Sequence, residues 1–263
     1  MNTGQENDRP QASLLPQGDA AWTVEFGAGI DPVLHARVLA LAERVRARRD
    51  VEPVLAGVRD VVPTFRSLTV LFDPLHTDAD ALGRRLLDLS AAGGSSVHAG
   101  RRWRLPVCFA AECAPDLAAL SAACGLAEAA VVQRLTSTPF RVGMIGFMPG
   151  FPYMTGLPPA LALPRLATPR KAVPARSLAV AGAMCCVYPW ESPGGWRLLG
   201  RTPLPLFDLQ RADEPAWLAA GDEVHWQAVD RATHDRLVAD WARGSGSREA
   251  FLVPAEGVPC PAV

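Results

Sequence analysis

Trp22, Val24 and Phe26 alternate with Thr23 and Glu25, the period of a strand buried on one face. Asp31 and Pro32 then form a helix start, and Leu34, Val38, Leu41 and Val45 recur behind them at helical spacing. Arg44, Arg46, Arg48 and Arg49 load the closing turn with positive charge, which reads as a solvated end favoured by the helix dipole. Gly57 to Val62, and the alternating Leu68, Val70 and Phe72, predict two paired strands connected through Pro63 to Ser67. A second helix from near Thr77 carries Leu82, Leu86 and Leu89 on one face and stops at Gly93-Gly94. The order β-α-β-β-α, followed by the alternating Trp103, Leu105 and Val107, fits two helices on an antiparallel sheet of the ferredoxin-like type.

The texture changes after the Gly-, Ser- and Ala-rich stretch Ala91 to Arg102, which marks a domain boundary. Short helices are expected at Pro115 to Ala123 and Leu126 to Arg134. From Phe140 to about Gln227 the chain is dense in Pro and Gly between short apolar runs, the texture of a closed β fold. Leu237 and Trp241 suggest a last helix over Arg231 to Ala242. The expected organisation is a small α+β domain over residues 15–95, a mainly β barrel over 100–230, and a flexible tail over 244–263.

Composition narrows the function. With 26 basic and 27 acidic side chains the net charge is -1, so no long-range field favours nucleic acid or anionic lipid. The longest apolar run, Leu178 to Trp190, is interrupted by Gly182 and Pro189, too short to span a membrane, and reads as a buried strand. Met1 to Pro16 lacks the apolar segment of a secretory signal, so a cytoplasmic protein is expected. Cys108, Cys113, Cys124, Cys185, Cys186 and Cys260 contain no C-x-x-C pair and read as reduced thiols. A Walker loop, a G-x-S-x-G elbow and an H-E-x-x-H pair are all absent, so no metal site is expected.

What stands out is Gly146 to Phe207. Its glycines permit close backbone approach, its prolines stiffen turns, and Phe147, Phe151, Tyr153, Tyr188, Trp190 and Trp196 lie among them. Both tyrosines of the chain are here, with Arg165, Arg170, Arg197 and Arg201, whose forked donors suit a carboxylate or phosphate. The candidate substrate-binding set is Phe151, Tyr153, Arg165, Arg170, Tyr188, Ser192, Gly194, Gly195, Trp196, Arg201 and Thr202; no catalytic base is identifiable from spacing.

The segments GFMPGFPYM, PRLATPRKAVPA and YPWESPGGWRLLGRTP, with LLPQGDAAWTVEFG from Leu15, VRDVVPTFRSLTVLFD from Val58 and Gly221-Asp222, resemble the family of the 5-oxoprolinase B subunit, also called allophanate hydrolase subunit 1 or Kip-type kinase inhibitor. The resemblance implies a cyclophilin-like barrel, and ATP-dependent opening of 5-oxo-L-proline to L-glutamate in a complex with homologues of the 5-oxoprolinase A and C subunits. It implies ATP in the assembled complex. Lactam phosphorylation would need donors such as Arg165, Arg170 and Arg201, an oxyanion nest from the N–H groups of Ser192 to Gly195, and Tyr153 and Trp196 as ring walls. The chain departs from the family pattern at Leu135 and Phe140, where relatives carry histidine and tyrosine, and at Arg176, Met184, Cys185 and Cys186. Two other functions fit the resemblance: an inhibitor docking on a sensor histidine kinase, and a carboxyltransferase-like component of a urea- or allophanate-type enzyme.

Overall fold

The computed structural model describes residues 12–92, 100–211 and 214–254. The chain forms two compact units, residues 1–98 and 99–263. Most of the expected boundary stretch lies outside the described residues.

The first unit is α+β. Strands β1 (Ser13–Pro16), β2 (Ala21–Glu25), β3 (Val58–Pro63) and β4 (Ser67–Phe72) make an antiparallel sheet in the order β1-β2-β4-β3, with helices α1 (Pro32–Arg48) and α2 (Ala79–Ala91). Val24, Phe26, Val61, Leu68, Val70 and Phe72 share one core with Val38, Leu41, Leu82 and Leu86, so both helices cover one face. The sheet's four strands include β1, which precedes β2 in sequence, whereas the ferredoxin-like order would place that extra strand after α2. The strand that follows α2 goes instead to the second unit. Asp31 and Asp78 cap the helices by accepting N–H bonds from Val33 and Leu34, and from Ala81. The arginines closing α1 are not simply solvated. Arg46 donates to the Val61 carbonyl of β3 at 2.8 Å and Arg44 to the Leu89 carbonyl of α2 at 3.1 Å, tying the helix to both neighbours.

The second unit is a closed barrel. Its strands are β5 (Arg102–Cys108), β6 (Phe140–Ile145), β7 (Pro152–Thr155), β9 (Ser177–Ala181), β10 (Met184–Val187), β12 (Arg197–Arg201) and β13 (Glu223–Val229). They run in the ring order β12-β9-β10-β7-β6-β13-β5, closed by the pairing of Arg201 in β12 with Cys108 in β5. Strand β13 is parallel to β5, and the other pairings are antiparallel. A separate pair, β8 (Arg170–Val173) and β11 (Ser192–Gly194), lies outside this ring. Alternate residues fill the barrel: Trp103, Leu105 and Val107, Phe140 and Val142, Leu178 and Val180, Cys185 and Val187, with Val224 and Trp226. Helices α3 (Leu117–Cys124) and α4 (Glu128–Ser137) add Leu120, Val131 and Leu135 to the same core. Leu135 and Phe140 are therefore packing positions here, and Phe140 lies 6.2 Å from Trp226.

Two expectations change. The apolar run from Leu178 is a hairpin of two strands, not one, because Gly182 takes φ +56° between β9 and β10. The tail beyond Gly244 is packed as far as it is described. Helix α5 (Arg231–Ala242) places Trp241 5.1 Å from Trp217, and β14 (Leu252–Val253) pairs with the start of β5. Arg248 is 4% exposed, stands over Trp103 and Trp217, and donates to the Trp217 carbonyl at 2.8 Å. Stacking and burial of that guanidinium fix a segment expected to belong to a flexible tail.

One carboxylate organises the bottom of the barrel. Asp222, 2% exposed, accepts bonds from the Arg101 and Ala219 N–H groups, the Trp103 indole and the Arg101 guanidinium. Asp222→Ala is expected to destabilise the protein by about 3–5 kcal/mol, by stranding these donors, and Asp222→Asn by less; urea unfolding monitored by tryptophan fluorescence measures both. In the first unit Asp73 accepts from Arg59, the Leu75 N–H and His76, and these donors hold its carboxyl down at about 2. A lowered carboxyl contributes stability above its ordinary range and loses it as pH falls towards 2. Asp73→Asn should therefore be less stable than the parent at neutral pH, with the difference vanishing near pH 2 in the same assay.

Candidate functional site

Strands β9 and β10 bury both faces. Their inward residues belong to the barrel core, while Ala179, Ala181, Cys186 and Tyr188 point outward into a second cluster with Phe151, Val173, Trp196 and Leu198. That cluster is aromatic. Phe151 lies 4.8 Å from Tyr153, 5.1 Å from Tyr188 and 6.3 Å from Trp196, and Tyr153 lies 5.9 Å from Trp196, mostly edge to face. The GFMPGFPYM and YPWESPGGW segments thus meet in space.

Glycines allow the meeting. Gly150 has φ +75°, and a Cβ there would come within 2.8 Å of the Phe207 ring. Gly194 lets the Tyr188 hydroxyl pass over β11, since a Cβ would fall within 2.3 Å of that oxygen. Burial raises the pKa of both Tyr188 and Tyr153, so both phenols stay protonated at neutral pH. Cys186, wholly buried beside them, is pushed up for the same reason and is no nucleophile. Met184 packs at the rim of this cluster, whereas Cys185 faces the barrel interior.

The charged candidates separate. Arg165 is exposed, its guanidinium 5.6 Å from the centre of the Trp196 ring, open to an anion. Arg170 is already engaged: it donates to Asp116 at 2.6 Å and to the Trp196 carbonyl at 3.4 Å, while the other Asp116 oxygen accepts the Leu198 N–H at 2.7 Å. Asp116 sits outside the stretch from which the candidates were drawn, and only its fold position reveals it as the anchor of Arg170. Arg201 and Thr202 lie apart from the aromatic cluster at the end of β12, and the Thr202 hydroxyl is spent on the Leu204 N–H at 3.3 Å. The expected oxyanion nest is not formed. Ser192 to Gly194 is extended and paired with β8, and Pro193 has no N–H to offer. Gly195 is buried next to it. Within β11 the Ser192 hydroxyl is buried without a hydrogen-bond partner, a group left available to a ligand.

A cleft of about 420 Å³ lined by Arg104, Thr136, His225, Trp226, Gln227 and Ala228 lies elsewhere in the second unit; it is shallow in chemistry, with His225 bound to Glu223 at 2.8 Å. Among the described residues no group of His, Cys, Asp or Glu is arranged to hold a metal, and no single helix is long and apolar enough to cross a membrane.

Because Arg170 ties β8 to Asp116 and Trp196, Arg170→Ala is expected to lower stability by about 1–3 kcal/mol. A mutant with unchanged urea midpoint would show that the tie contributes nothing.

Comparison with known proteins gives the chain its family. Residues 12–218 match the model of the carboxyltransferase domain, subdomain C and D. The B subunit of 5-oxoprolinase from Escherichia coli O157:H7 is 35% identical over 80% of this chain and 92% of its own length. The crystal structure of TTHA0988 superposes with TM-score 0.69 at 34% identity, over 80% of this chain but only 40% of that longer one. The urea amidolyase of Kluyveromyces lactis shares the fold, with TM-score 0.70 at 21% identity, over 90% of this chain and 16% of that one. With the family model spanning most of its length and a relative this similar along nearly its whole length, the chain belongs to the carboxyltransferase subdomain C and D family, and within it to the family of the 5-oxoprolinase B subunit.

Proposed function

We propose that this chain is a non-autonomous, cytoplasmic subunit of an ATP-dependent 5-oxoprolinase, opening 5-oxo-L-proline to L-glutamate together with homologues of the enzyme's A and C subunits. The observation that carries the reading is the aromatic cluster of Phe151, Tyr153, Tyr188 and Trp196 with exposed Arg165 above Trp196. A five-membered lactam is a flat, half-apolar ring with a carboxylate on one carbon. Tyr153 and Trp196 offer the ring an apolar wall, Arg165 offers the carboxylate a forked donor, and the unpartnered Ser192 hydroxyl on β11 is a further polar group of the same segment.

An unstrained amide resists water; transfer of the terminal phosphoryl group of ATP to the lactam oxygen, with ADP leaving, would make the ring carbon electrophilic enough to take up water. The C–N bond would then break with the nitrogen leaving as the amine, and a second water would release phosphate from the acyl phosphate left behind. This chain carries no Walker loop, and the Asp116 carboxylate is held by Arg170 and the Leu198 N–H. The base and most phosphate contacts must then come from partner chains. What this chain does is orient the ring and exclude water from one side of it. Of the small α+β domain over residues 15–95 and the cyclophilin-like barrel over 100–230, the barrel would carry this chain's share of the site, since the aromatic cluster is built on it.

The family description, a carboxyltransferase domain, also favours a second reading, carboxyl transfer. Assays separate the two. Glutamate release that requires ATP, 5-oxoproline and both partner subunits, with none from the chain alone, is the expected result; biotin-dependent carboxylation without lactam opening would replace the proposal. Arg165→Ala should raise KM for 5-oxoproline by roughly 10- to 100-fold, the loss of one charge-assisted contact, while leaving the urea midpoint in place. An unchanged KM would remove Arg165 from the site.

A further inference from the structure

The end of β12 holds a second group of cations that lactam orientation does not use. Arg176, in the turn between β8 and β9, has φ +68°, a left-handed conformation that residues bearing a Cβ rarely adopt. Backbone bonds clamp it there: its N–H donates to the Tyr188 carbonyl at 2.5 Å, and its carbonyl accepts the Thr202 N–H at 3.0 Å. The clamp directs the half-buried side chain towards the β12 end, where one guanidinium nitrogen donates to the Pro203 carbonyl at 2.9 Å. Arg201 is there too, registered opposite Ser177 on β9. Its Nε is buried and meets no acceptor, and among the described residues neither arginine is ion-paired to a carboxylate.

The surroundings do not neutralise the pair. Burial and then the nearby Arg201 charge lower the pKa of Arg176. The Cys113 thiol near Arg201 is pushed up to about 11, chiefly by burial, and so stays neutral. Arg231, also near Cys113, is another cation and is already bound to Asp235 at 2.8 Å. Two neighbouring guanidinium groups, one strained in its backbone and one with a buried donor unused, form an arrangement that an anion would complete.

We propose that Arg176 and Arg201 form a binding site for a phosphate-type oxyanion at the β9–β12 edge, taking either free inorganic phosphate or the terminal phosphoryl group of a nucleotide. A phosphate group carries up to two negative charges and several acceptor oxygens, matching two forked cations better than a single carboxylate does. The inference stands apart from lactam opening, because binding is read on this chain alone, without turnover.

The test is thermal unfolding and calorimetric titration of the full chain in chloride at fixed ionic strength, adding inorganic phosphate, ATP without metal, or acetate. Phosphate at ten times its dissociation constant should raise Tm by about 3–6 °C, with acetate giving little. A larger response to ATP than to phosphate identifies the nucleotide as the source; equal responses identify free phosphate. Arg176→Gly removes the guanidinium and relieves the positive φ, so its Tm in chloride should equal or exceed the parent's while the phosphate shift disappears. Arg201→Gln should lose the shift as well. The proposal is overturned if the parent shows no response beyond chloride, if both variants keep it, or if Arg176→Gly melts lower in chloride, which would make Arg176 a structural cap.

Discussion

Strand β9 is buried at every position, and the rest of the second unit follows from that double burial. A strand covered on one face alternates apolar with polar, but Ser177 to Ala181 alternates larger with smaller residues: Leu178 and Val180 turn into the barrel, Ala179 and Ala181 turn outward. The small outward residues leave room for large rings. Phe151, Tyr188 and Trp196 occupy it, so the aromatic cluster is a second layer built on the outside of a filled barrel. The candidate site is positioned by this layer rather than by a barrel mouth, with Phe151, Tyr188 and Trp196 held against the strands although they lie just outside them.

Two buried carboxylates then fix what the apolar packing leaves free. Asp222 gathers the N–H and guanidinium of Arg101, the Trp103 indole and the Ala219 N–H, joining the start of β5 to the turn before β13. Asp116 does the same at the start of α3, holding the Leu198 N–H of β12 and Arg170 of β8. Hydrophobic contact is non-directional and tolerates sliding, whereas a carboxylate with several donors at fixed angles does not. Removing such an anchor leaves donors buried and unsatisfied, so register and stability are coupled at these points.

Periodicity made the first unit legible: Trp22 and Val24, with Phe26 just past the strand's end, and the helix residues from Leu34 to Val45 lie on or beside the elements their spacing predicted. It did not reveal that β1 would take the sheet edge, because pairing partners are set by tertiary contacts that spacing does not encode. The Gly and Pro texture correctly indicated short strands after Phe140, yet the apolar run from Leu178 concealed a hairpin, since one glycine is a weak mark within a run buried on both faces. Arg170 and Arg201 looked equivalent in sequence. Only the fold shows one satisfied by Asp116, 54 positions away, and the other with an unused buried donor. Arg248 shows the opposite error: a polar-looking tail residue is stacked on two indoles.

The division of charged groups bears on why the chain belongs in an assembly. An autonomous hydrolase holds its acid–base group, its oxyanion donors and its substrate wall in one polypeptide. Here the aromatic cluster is packed, the Asp116 carboxylate is paired with Arg170, and β11, where oxyanion donors were expected, is an extended strand paired with β8. Rigid aromatic packing is well suited to presenting one side of a small ring and poorly suited to moving protons, because both tyrosines are driven towards their protonated forms by the burial that fixes them. A surface that orients but does not transfer protons has catalytic value only when another surface supplies base and phosphoryl group, and on the proposed reading the exposed Arg165 above Trp196 is the charged group this chain contributes to that meeting.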